Sequence, residues 1–559
     1  MTHLAFPIQL LLCMLSLCIV GFGQPLWGNW ISLAAACFGY ALFWRVLISV
    51  PRTWDRFWMG FAWFALVQMI QVYWMASHPF FYIYIVIIFL GFVGGIQFGI
   101  ISCLISPSRC LQIPQLFAIA GLWVLLEWSR LFILSGLSFN PAGMAFSGNL
   151  YSLQLASVGG VFLLSFLVFL INLFVLRAWL LGFTKTALAW PLVFAVLPFL
   201  FGVVHYHFHL SKKASAKEIS VLLLQTAFPV EEMMPFHTAE EMRAFVLGEW
   251  LQILHLTAPY QSSSVDLTVL PEFVVPYGAY YPVYPYVDAR FLFEKAFKDS
   301  AKTHLAPLEE PFAYLIETKR GQEYWVSNAF FAQSLANILH TDLVVGLEDS
   351  VYVDEEQKQA ETYSSAFHFA PAMMDATRYD KRVLVPMGEY IPFDCLKNLA
   401  KSYGVGGSFT PGTKAVVCKG SVPFGFSICY EETFSQIIRD NRLSGAELLV
   451  NLTNDGWYPN SALPQQHFDH ARFRTVENGF PVVRACNTGI TGAYSSLGEV
   501  VDYFGNDFYD SQTKQGAFFV KVPTYHYHTL YTFWGDSMIL GFSCLALGYG
   551  LFTNKKHLR

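Results

Sequence analysis

Long apolar runs fill the first two fifths of the chain, and one more lies close to its end. Each is close to the length of about 20 residues that a helix needs to cross a bilayer. The runs span residues 6–22, 30–50, 57–76, 81–106, 114–134, 153–181, 188–208 and 531–553. The first run is interpreted as a helix and not as a signal peptide, because it lacks a basic segment and a small-residue cleavage site. The pattern predicts a polytopic α-helical membrane protein with about eight transmembrane helices.

The region between the seventh and eighth runs has a different pattern. Short strand-like runs, among them 219–224, 267–270, 343–346, 425–428, 448–452, 482–485 and 517–520, alternate with helical stretches such as 238–256 and 461–478. This alternation is typical of an α/β domain. The chain is therefore predicted to contain a seven-helix transmembrane domain (1–210), an α/β domain (218–524), a C-terminal transmembrane helix (531–553) and a basic tail (554–559).

Basic residues in the short loops predict the orientation of these helices. They occur in alternate loops, as Arg45, Arg52, Arg56, Arg109, Arg177 and Lys185, and again in the C-terminal tail. Three lysines after the seventh run, Lys212, Lys213 and Lys217, oppose the rule, but large domains translocate with little regard to charge. Cytoplasmic loops carry an excess of Lys and Arg. We therefore expect both termini in the cytoplasm and the α/β domain on the outer side of the membrane.

Composition and charge narrow the classes of function. Hydrophobic residues make up 54% of the chain and charged residues only 13%, which is too apolar for a soluble protein. The net charge of -5 and the absence of a basic stripe argue against a nucleic-acid partner. Ten cysteines without CxxC pairs indicate neither a disulfide framework nor a zinc site, and they leave open whether Cys395, Cys418 or Cys486 form disulfides.

The stretch Gly425-Phe426-Ser427-Ile428-Cys429-Tyr430-Glu431-Glu432 carries the candidate nucleophile. It is predicted to be an apolar strand that ends on Cys429 and turns into an acidic, helical segment over 431–439. A thiol near a helix N-terminus has a lowered pKa and is a better nucleophile. The alternative is that Cys429 is a small buried hydrophobic residue at the end of a strand.

Two further stretches supply the other groups that acyl transfer requires. Glu272 follows the strand-like run 267–270, and Lys381 precedes the run Val383-Leu384-Val385. Acyl transfer needs a nucleophile, a base for its proton, and positive charge near the developing oxyanion. Cys429, Glu272 and Lys381 provide one of each. Taken singly, Glu272 could be a solvated charge at a strand end and Lys381 half of a surface ion pair.

These three stretches closely resemble the Glu, Lys and Cys motifs of the nitrilase (carbon–nitrogen hydrolase) superfamily. When the apolar helices are included, almost the whole chain resembles the apolipoprotein N-acyltransferase family. Further matches to that family lie in the segments 125–128, 160–172, 451–457, 466–468, 471–472 and 487–492. The resemblance implies a nitrilase-like αββα sandwich and a site that needs no cofactor or metal. It also implies that Glu389 shapes the site and that Tyr430 and Glu431 support activity. From residue type alone, Glu389 could equally pair with Arg382.

The reaction that the resemblance implies has two steps. A phospholipid donates its sn-1 acyl chain to Cys429 as a thioester, and the N-terminal α-amine of a diacylglyceryl-cysteine lipoprotein, after removal of its signal peptide, then takes the acyl group. The expected setting is the bacterial inner membrane, with the catalytic domain in the periplasm and the protein a monomer. The alternatives are a membrane-anchored nitrilase-type amidase, in which water resolves the thioester, and a transporter or lipid-binding protein with an inactive nitrilase domain.

Several other positions carry open hypotheses. The run Tyr277, Tyr280, Tyr281, Tyr284 and Tyr286 is either a mobile aromatic arm at the lipid interface or a packed aromatic loop. Glu127, inside the fifth apolar run, is expected to have a partner, with Arg130 as the local candidate. His205, His207, His209, His526 and His528 either pack at the membrane surface or form a metal site. Finally, Gln225-Thr226-Ala227 stands where the family commonly has Gln-Gly-Asn.

Overall fold

The computed structural model describes residues 4–230, 234, 236–319, 321–354, 359–393, 408–506 and 513–557. Cys395 and the last two residues of the basic tail lie outside these ranges. The chain forms two compact units. The helical unit comprises Met1–Ala214, Asn460–Gly479 and Tyr527–Arg559, and the α/β unit comprises Ser215–Pro459 and Phe480–His526.

The longer helices are numbered along the chain. They are α1 (Phe6–Gly21), α2 (Asn29–Leu47, with a π-helical turn at Ala35–Gly39), α3 (Thr53–Gln71), α4 (Ile83–Leu104), α5 (Ile113–Ser129), α6 (Ala156–Leu180), α7 (Lys185–Lys213), α8 (Ala239–Thr257), α9 (Tyr286–Phe297), α10 (Asn328–Leu339), α11 (Ser435–Leu443), α12 (Leu463–Asn478) and α13 (Ser537–His557).

Each predicted apolar run coincides with a helix of the helical unit. Five described helices are long and apolar enough to cross a membrane: Asn29–Leu47, Ile83–Leu104, Ile113–Phe132, Ala156–Leu180 and Lys185–Lys213. Helix α1 has 16 residues, which at about 1.5 Å per residue gives a helix shorter than the hydrocarbon core of a bilayer. The apolar part of α13 is similarly short, and α3 carries Asp55 and Arg56 in its first turn.

A break in α6 explains how α12 joins the helical unit. Gly159 and Gly160 leave helical geometry, and Gly160 has a φ of 67°. The break frees the backbone N–H of Val161, which donates to Glu477 Oε1 of α12 at 2.8 Å. Glu477 also pairs with Arg474 at 3.0 Å, and both side chains are buried. Helix α12 therefore packs in the helical unit, although its sequence lies inside the predicted α/β range of 218–524.

Glu127 and Arg130 do not form the expected local ion pair. Glu127 Oε1 accepts the backbone N–H of Ala142 at 2.8 Å, and Arg130 Nε donates to Gln97 Oε1 at 2.6 Å. Helix α5 ends at Ser129, so Arg130 begins a separate turn and its guanidinium lies over the Trp123 ring. The expectation that Glu127 has a partner is confirmed, and one of its hydrogen-bond donors is a backbone group.

The α/β unit is built from two six-stranded sheets and a small three-stranded one. The strands are β1 (Glu218–Gln225), β2 (Leu267–Val269), β3 (Tyr284–Pro285), β4 (Ala313–Thr318), β5 (Gly321–Val326), β6 (Asp342–Asp354), β7 (Gln359–Phe369), β8 (Thr377–Asp380), β9 (Val417–Lys419), β10 (Pro423–Ile428), β11 (Leu448–Thr453), β12 (Val482–Cys486), β13 (Gly492–Tyr494), β14 (Val500–Tyr503) and β15 (Gly516–Pro523). The two large sheets have the orders β15-β1-β2-β6-β7-β8 and β14-β13-β12-β11-β10-β9.

The strand sequences explain how the sheets pack. Val221 and Leu223 of β1 share a core with Phe426 and Ile428 of β10, whereas Leu222 of β1 belongs to the core that contains α8 and α10. A strand that is buried on both faces is apolar at every position. Two sheets packed face to face, with helices against the outer side, confirm the predicted sandwich.

The tyrosine run is mostly a packed loop. Tyr284 is buried and donates from its hydroxyl to Asn328 Oδ1 at 2.8 Å, and Tyr280 contacts Phe367. Only Tyr281 among the five is strongly exposed, at 65%. These contacts favour the packed-loop interpretation over the mobile arm.

The histidines and cysteines named above lie partly in the helical unit and partly in the α/β unit. In the helical unit, His209 stacks on Tyr527 with ring centres 3.9 Å apart and contacts the tilted ring of His205 at 4.5 Å, which favours packing over a metal site. In the α/β unit, His526 pairs with Glu447 at 3.5 Å. Cys418 and Cys486 are buried thiols outside any disulfide.

Candidate active site

Glu272 is placed by the end of β2 and by a close approach to β6. It follows Leu270 and Pro271, and its side chain is only 5% exposed. A Cβ atom on Gly346 of β6 would lie 2.6 Å from Glu272 Cα, so a side chain there would displace the Glu272 backbone. Val274 N donates to Gly346 O at 3.0 Å and holds the two segments together. The carboxylate thus enters the site from a rigid backbone.

Lys381 lies directly after β8 and is completely buried. Its own N–H donates to Ser364 O, and its carbonyl accepts from Gly412 N, each at 2.8 Å. Its Nζ donates to Glu272 Oε1 at 2.9 Å and to Glu389 Oε1 at 2.5 Å. A buried ammonium group is stabilised when charged partners such as these carboxylates replace water.

The structure decides between the two interpretations of Glu389. Its second oxygen, Oε2, accepts the backbone N–H of Val385 at 2.8 Å, so the carboxylate is fixed in place beside Lys381. Arg382, the alternative partner, pairs with Asp440 at 2.8 Å instead. Glu389 therefore lies in the site, next to the ammonium group.

Cys429 occupies a strained turn at the end of β10. Its φ is 50°, a left-handed conformation that costs an L-residue other than glycine about 1–2 kcal/mol. The residues that follow form a 3₁₀ turn, Cys429–Thr433, and helix α11 begins only at Ser435. The helix predicted over 431–439 therefore starts later than expected. The Cys429 thiol hydrogen-bonds the Glu272 carboxylate, which brings the three predicted residues together.

Glu431 connects the nucleophile turn to the segment that carries Lys381. Its Oε1 accepts the N–H groups of Arg382 and Val383 at 2.5 and 3.1 Å. Its Oε2 accepts the N–H of Ile428 at 2.9 Å and the hydroxyl of Tyr379 at 2.8 Å. These contacts tie the Cys429 turn to the segment that follows Lys381.

Tyr430 has a different environment from its neighbour Glu431. It is half-buried, and its ring meets the edge of Phe434 at 5.0 Å between centres. The structure therefore places Tyr430 beside the nucleophile in the same turn.

The electrostatics of the site follow from burial and from the crowding of charges. Burial raises the pKa of the Cys429 thiol well above its usual value, and the Glu272 carboxylate raises it further. Burial also raises the pKa of Glu272. Burial alone would lower the pKa of Lys381, but Glu272 and Glu389 outweigh it and raise that pKa.

The expectation of a lowered thiol pKa is therefore wrong. The thiol faces carboxylates at the start of a short 3₁₀ turn and not the N-terminus of a long helix. Burial and the neighbouring carboxylates therefore oppose ionisation of the Cys429 thiol, and the nearby Lys381 favours it.

Comparisons with known proteins identify the family of this chain. The family model described as carbon-nitrogen hydrolase matches residues 241–544, and the model described as apolipoprotein N-acyltransferase N-terminal domain matches residues 11–174. The apolipoprotein N-acyltransferase of Chlamydia pneumoniae is 33% identical over 97% of this chain and 98% of its own. The chain belongs to the apolipoprotein N-acyltransferase family.

Other relatives extend the comparison. The apolipoprotein N-acyltransferase of Chlamydia caviae is 31% identical and covers 97% of each chain. A solved carbon-nitrogen hydrolase from Helicobacter pylori G27 is 17% identical, covers 55% of this chain and 89% of its own, and has a TM-score of 0.33. Membership of the apolipoprotein N-acyltransferase family confirms the resemblance that the Glu272, Lys381 and Cys429 motifs indicated.

Sequence reasoning missed two supporting groups of this family member. The backbone N–H of Asn454 donates to Glu272 Oε2 at 3.1 Å, and Tyr379 donates to Glu431. Asn454 follows β11, which is parallel to β10, so both strands end at the same edge of the sheet. That topology was the available signal for Asn454. Tyr379 stands two residues before Lys381, and nothing in the sequence distinguished it from a core tyrosine.

The departure from the family pattern at Ala227 is visible in the backbone. Ala227 has a φ of 48°, a region in which asparagine and glycine are more stable than alanine. Asn487 holds this segment by accepting from Thr226 Oγ1 and Phe228 N, each at 2.7 Å. The strained turn is therefore retained without the Asn that the family commonly has there.

Proposed function

We propose that this chain transfers an acyl group from a phospholipid, through a thioester on Cys429, to the N-terminal α-amine of a diacylglyceryl-cysteine lipoprotein. The observation that carries the proposal is the buried cluster in which Lys381 bridges Glu272 and Glu389 beside the Cys429 thiol. Relatives of nearly full length that are named apolipoprotein N-acyltransferases support it.

In the first half-reaction Glu272 acts as the base. It takes the proton of the Cys429 thiol, whose sulfur attacks the ester carbonyl of the phospholipid. The ammonium group of Lys381 stabilises the negative charge that develops on the carbonyl oxygen and the thiolate. When the carbon–oxygen bond breaks, protonated Glu272 returns the proton to the departing alcohol, and the acyl group remains on Cys429 as a thioester.

In the second half-reaction the acceptor amine resolves the thioester. Its nitrogen attacks the thioester carbonyl, and Glu272 removes a proton from that nitrogen. Breakage of the carbon–sulfur bond then releases the amide, and the proton on Glu272 returns to the Cys429 sulfur. Glu389 and Glu431 keep Lys381 and the nucleophile turn in position through both steps.

The location and organisation of the protein are part of the proposal. We place it in a bacterial inner membrane as a monomer, with 1–210 and 531–553 as membrane segments, 218–524 as the periplasmic catalytic domain, and both ends, including the tail 554–559, in the cytoplasm. The alternation of basic loops supports this orientation. An acyl chain costs about 0.8 kcal/mol per CH₂ to bring into water, which favours an enzyme that stays in the membrane with its donor.

Intact-mass spectrometry tests the thioester route. Detergent-purified protein incubated with phospholipid should gain one acyl mass, which hydroxylamine removes and a diacylglyceryl-cysteine peptide discharges. Cys429→Ser should gain none. Cys418→Ser, which changes a buried thiol on β9, is the matched control and should behave as the unmodified protein does.

The other outcomes separate the rival functions. Discharge of the acyl group by water as fast as by the peptide would identify an amidase. Absence of any adduct, with active lipid controls, would show that the α/β unit does not perform acyl transfer.

A further inference from the structure

Arg484 is a buried charge in the middle of a central strand. It lies on β12, and its side chain is only 1% exposed. Asn451 of β11 pairs in register with Arg484, and Ser427 of β10 pairs in register with Asn451. Its neighbours Val483 and Ala485 belong to the core between the two sheets, so Arg484, Asn451 and Ser427 form a polar row on the opposite face. A buried guanidinium group is costly unless it is paired.

The guanidinium group joins two segments that carry the reacting residues. Its Nη2 lies 3.3 Å from Glu432 Oε1 and 3.4 Å from Asp455 Oδ2. Glu432 belongs to the 3₁₀ turn that begins with Cys429. Asp455 follows Asn454, whose N–H holds Glu272. One nitrogen therefore links the nucleophile turn to the loop that positions the base.

Asp455 is itself held so that it can receive Arg484. Its N–H donates to Thr488 O at 3.0 Å. A Cβ atom on Gly489 would lie 2.7 Å from Asp455 Oδ2, so a side chain at position 489 would force the carboxylate to move from its present position. Gly489 has a φ of 130°, which also favours glycine. This half of the link is thus preorganised by the loop after β12.

The link also balances charge around the thiol. Among the described residues of the α/β unit, the charged groups that act on Cys429 include Glu272, Glu389, Asp455, Lys381 and Arg484. Three of them are negative and two are positive. Without Arg484, a single ammonium group would face these carboxylates and the buried Glu432, and formation of the thiolate would become less favourable.

We propose that Arg484 is a positioning residue for acyl transfer. It keeps the Cys429 turn and the Glu272 loop at their reactive spacing, and it offsets the charge of Glu432 and Asp455 when the thiolate forms. The inference rests on the proposed function for its role in acyl transfer, but its effect on Cys429 is independent of that function.

Two assays on the full-length protein in detergent test it. The first is the rate of alkylation of Cys429 by iodoacetamide across pH, followed by mass spectrometry of the Cys429 peptide. The second is the rate of acyl-enzyme formation with phospholipid. In Arg484→Met we expect alkylation to begin at higher pH and acyl-enzyme formation to fall by about 10- to 100-fold, since small misplacements of reacting groups cost up to about 100-fold. Arg484→Lys, which keeps the charge, should recover part of both.

A matched control separates positioning from general stability. Arg442 on α11 is also buried in the α/β unit, and its Nη1 donates to Ala446 O at 2.8 Å. Arg442→Met should lower thermal stability but leave the pH dependence of Cys429 alkylation unchanged. Glu432→Gln keeps the guanidinium group and removes one arm of the link, so it should slow acyl-enzyme formation even if Arg484→Met fails to fold.

The outcomes are distinguishable. If Arg484→Met and Glu432→Gln both match the unmodified protein in alkylation profile and acyl-enzyme rate, the inference is overturned. If the unmodified protein forms no acyl-enzyme, the proposed function fails, and the alkylation profile alone still decides whether Arg484 acts on Cys429. An unchanged profile in Arg484→Lys and Glu432→Gln, with Arg484→Met unfolded, would make Arg484 purely structural.

Discussion

Both units bury carboxylates, but they use them differently. In the helical unit, Glu127 accepts the N–H of Ala142, and Glu477 accepts the N–H of Val161 at the break in α6. In the α/β unit, Glu272 also accepts a backbone N–H, from Asn454, but its other oxygen faces Lys381. Burial of a charge therefore does not by itself identify a reactive site. What distinguishes Glu272 is that a cation and a thiol converge on the same carboxylate.

The largest difference between the units is expected when a buried cation is removed from each. Lys381→Met removes the cation that Glu272 and Glu389 share, whereas Arg474→Met removes the cation beside Glu477 of the helical unit. Each should cost about 3–5 kcal/mol of stability. Only Lys381→Met should reduce acyl-enzyme formation by about 1,000-fold or more, because it alone removes charge from the reacting groups.

Thermal unfolding and single-turnover acylation, measured on the folded fraction of each variant, check this prediction. An equal loss of acylation in Arg474→Met would show that buried charges in the helical unit also act on the chemistry. The proposed difference between the two units would then be wrong.

The pH dependence of Cys429 tests the convergence of charges directly. Glu272 raises the thiol pKa and Lys381 lowers it. Alkylation of Cys429 by iodoacetamide should therefore begin at lower pH in Glu272→Gln and at higher pH in Lys381→Met than in the unmodified protein. Shifts of the same sign in both variants would contradict the arrangement of charges described above.

The same pKa shift affects stability. Because the folded thiol has the higher pKa, the unfolded chain loses its proton first as pH rises above about 8.5. The contribution of Cys429 to stability is complete below that pH and declines above it. Cys429→Ser should therefore lose less stability between pH 8 and 10 than the unmodified protein, as chemical denaturation at each pH will show.

Changes at Glu127 test the role of a buried carboxylate in the helical unit. Glu127→Gln keeps an oxygen that can accept the Ala142 N–H, so we expect little loss of stability. Glu127→Ala removes the acceptor and should cost about 1–3 kcal/mol. In both variants we expect acyl-enzyme formation per folded molecule to change by less than about threefold, because Glu127 bonds the backbone of Ala142 and not a residue of the candidate site. A large loss of acylation at unchanged melting temperature would place Glu127 in the function instead.

The smallest expected effect concerns the backbone at Ala227. Ala227→Gly relieves a left-handed residue and should stabilise the protein by about 1 kcal/mol. Ala244→Gly, at an exposed position inside helix α8, should destabilise it by about 1 kcal/mol. Opposite shifts in melting temperature are the expected result, and a loss of stability in both would mean that Ala227 is not strained.

Much of the architecture followed from patterns within single elements. The apolar runs coincide with helices, and the strand-like runs at 219–224, 425–428 and 448–452 lie within β1, β10 and β11. Hydrophobic length and alternation are local properties, so they can be read without knowing what an element packs against. Glu272 and Cys429 were also visible because each ends an apolar strand-like run, and Lys381 was found through its resemblance to the family motif.

The partners of individual charged residues and the surroundings of the Cys429 thiol could not be predicted from local patterns. Glu389 was as compatible with Arg382 as with Lys381, and only the fold brought Lys381 to it. Helix α12 was placed with the α/β range by its position in the sequence, yet its buried Glu477 serves the helical unit. The thiol of Cys429 was expected to be acidic, but the surrounding carboxylates raise its pKa.

Hydrophobic periodicity and residue chemistry are carried by neighbouring positions, so the amino-acid sequence was sufficient to predict the apolar helices, the strand-like runs of the α/β unit and the candidate residues Glu272, Lys381 and Cys429. Which charges meet depends on the tertiary fold. Lys381 and Glu272 stand 109 positions apart, and the Arg484 link joins the segments after β10 and β11. The energy of a buried charge depends on such distant partners and on the loss of water around it, and neither can be predicted from a local stretch of sequence.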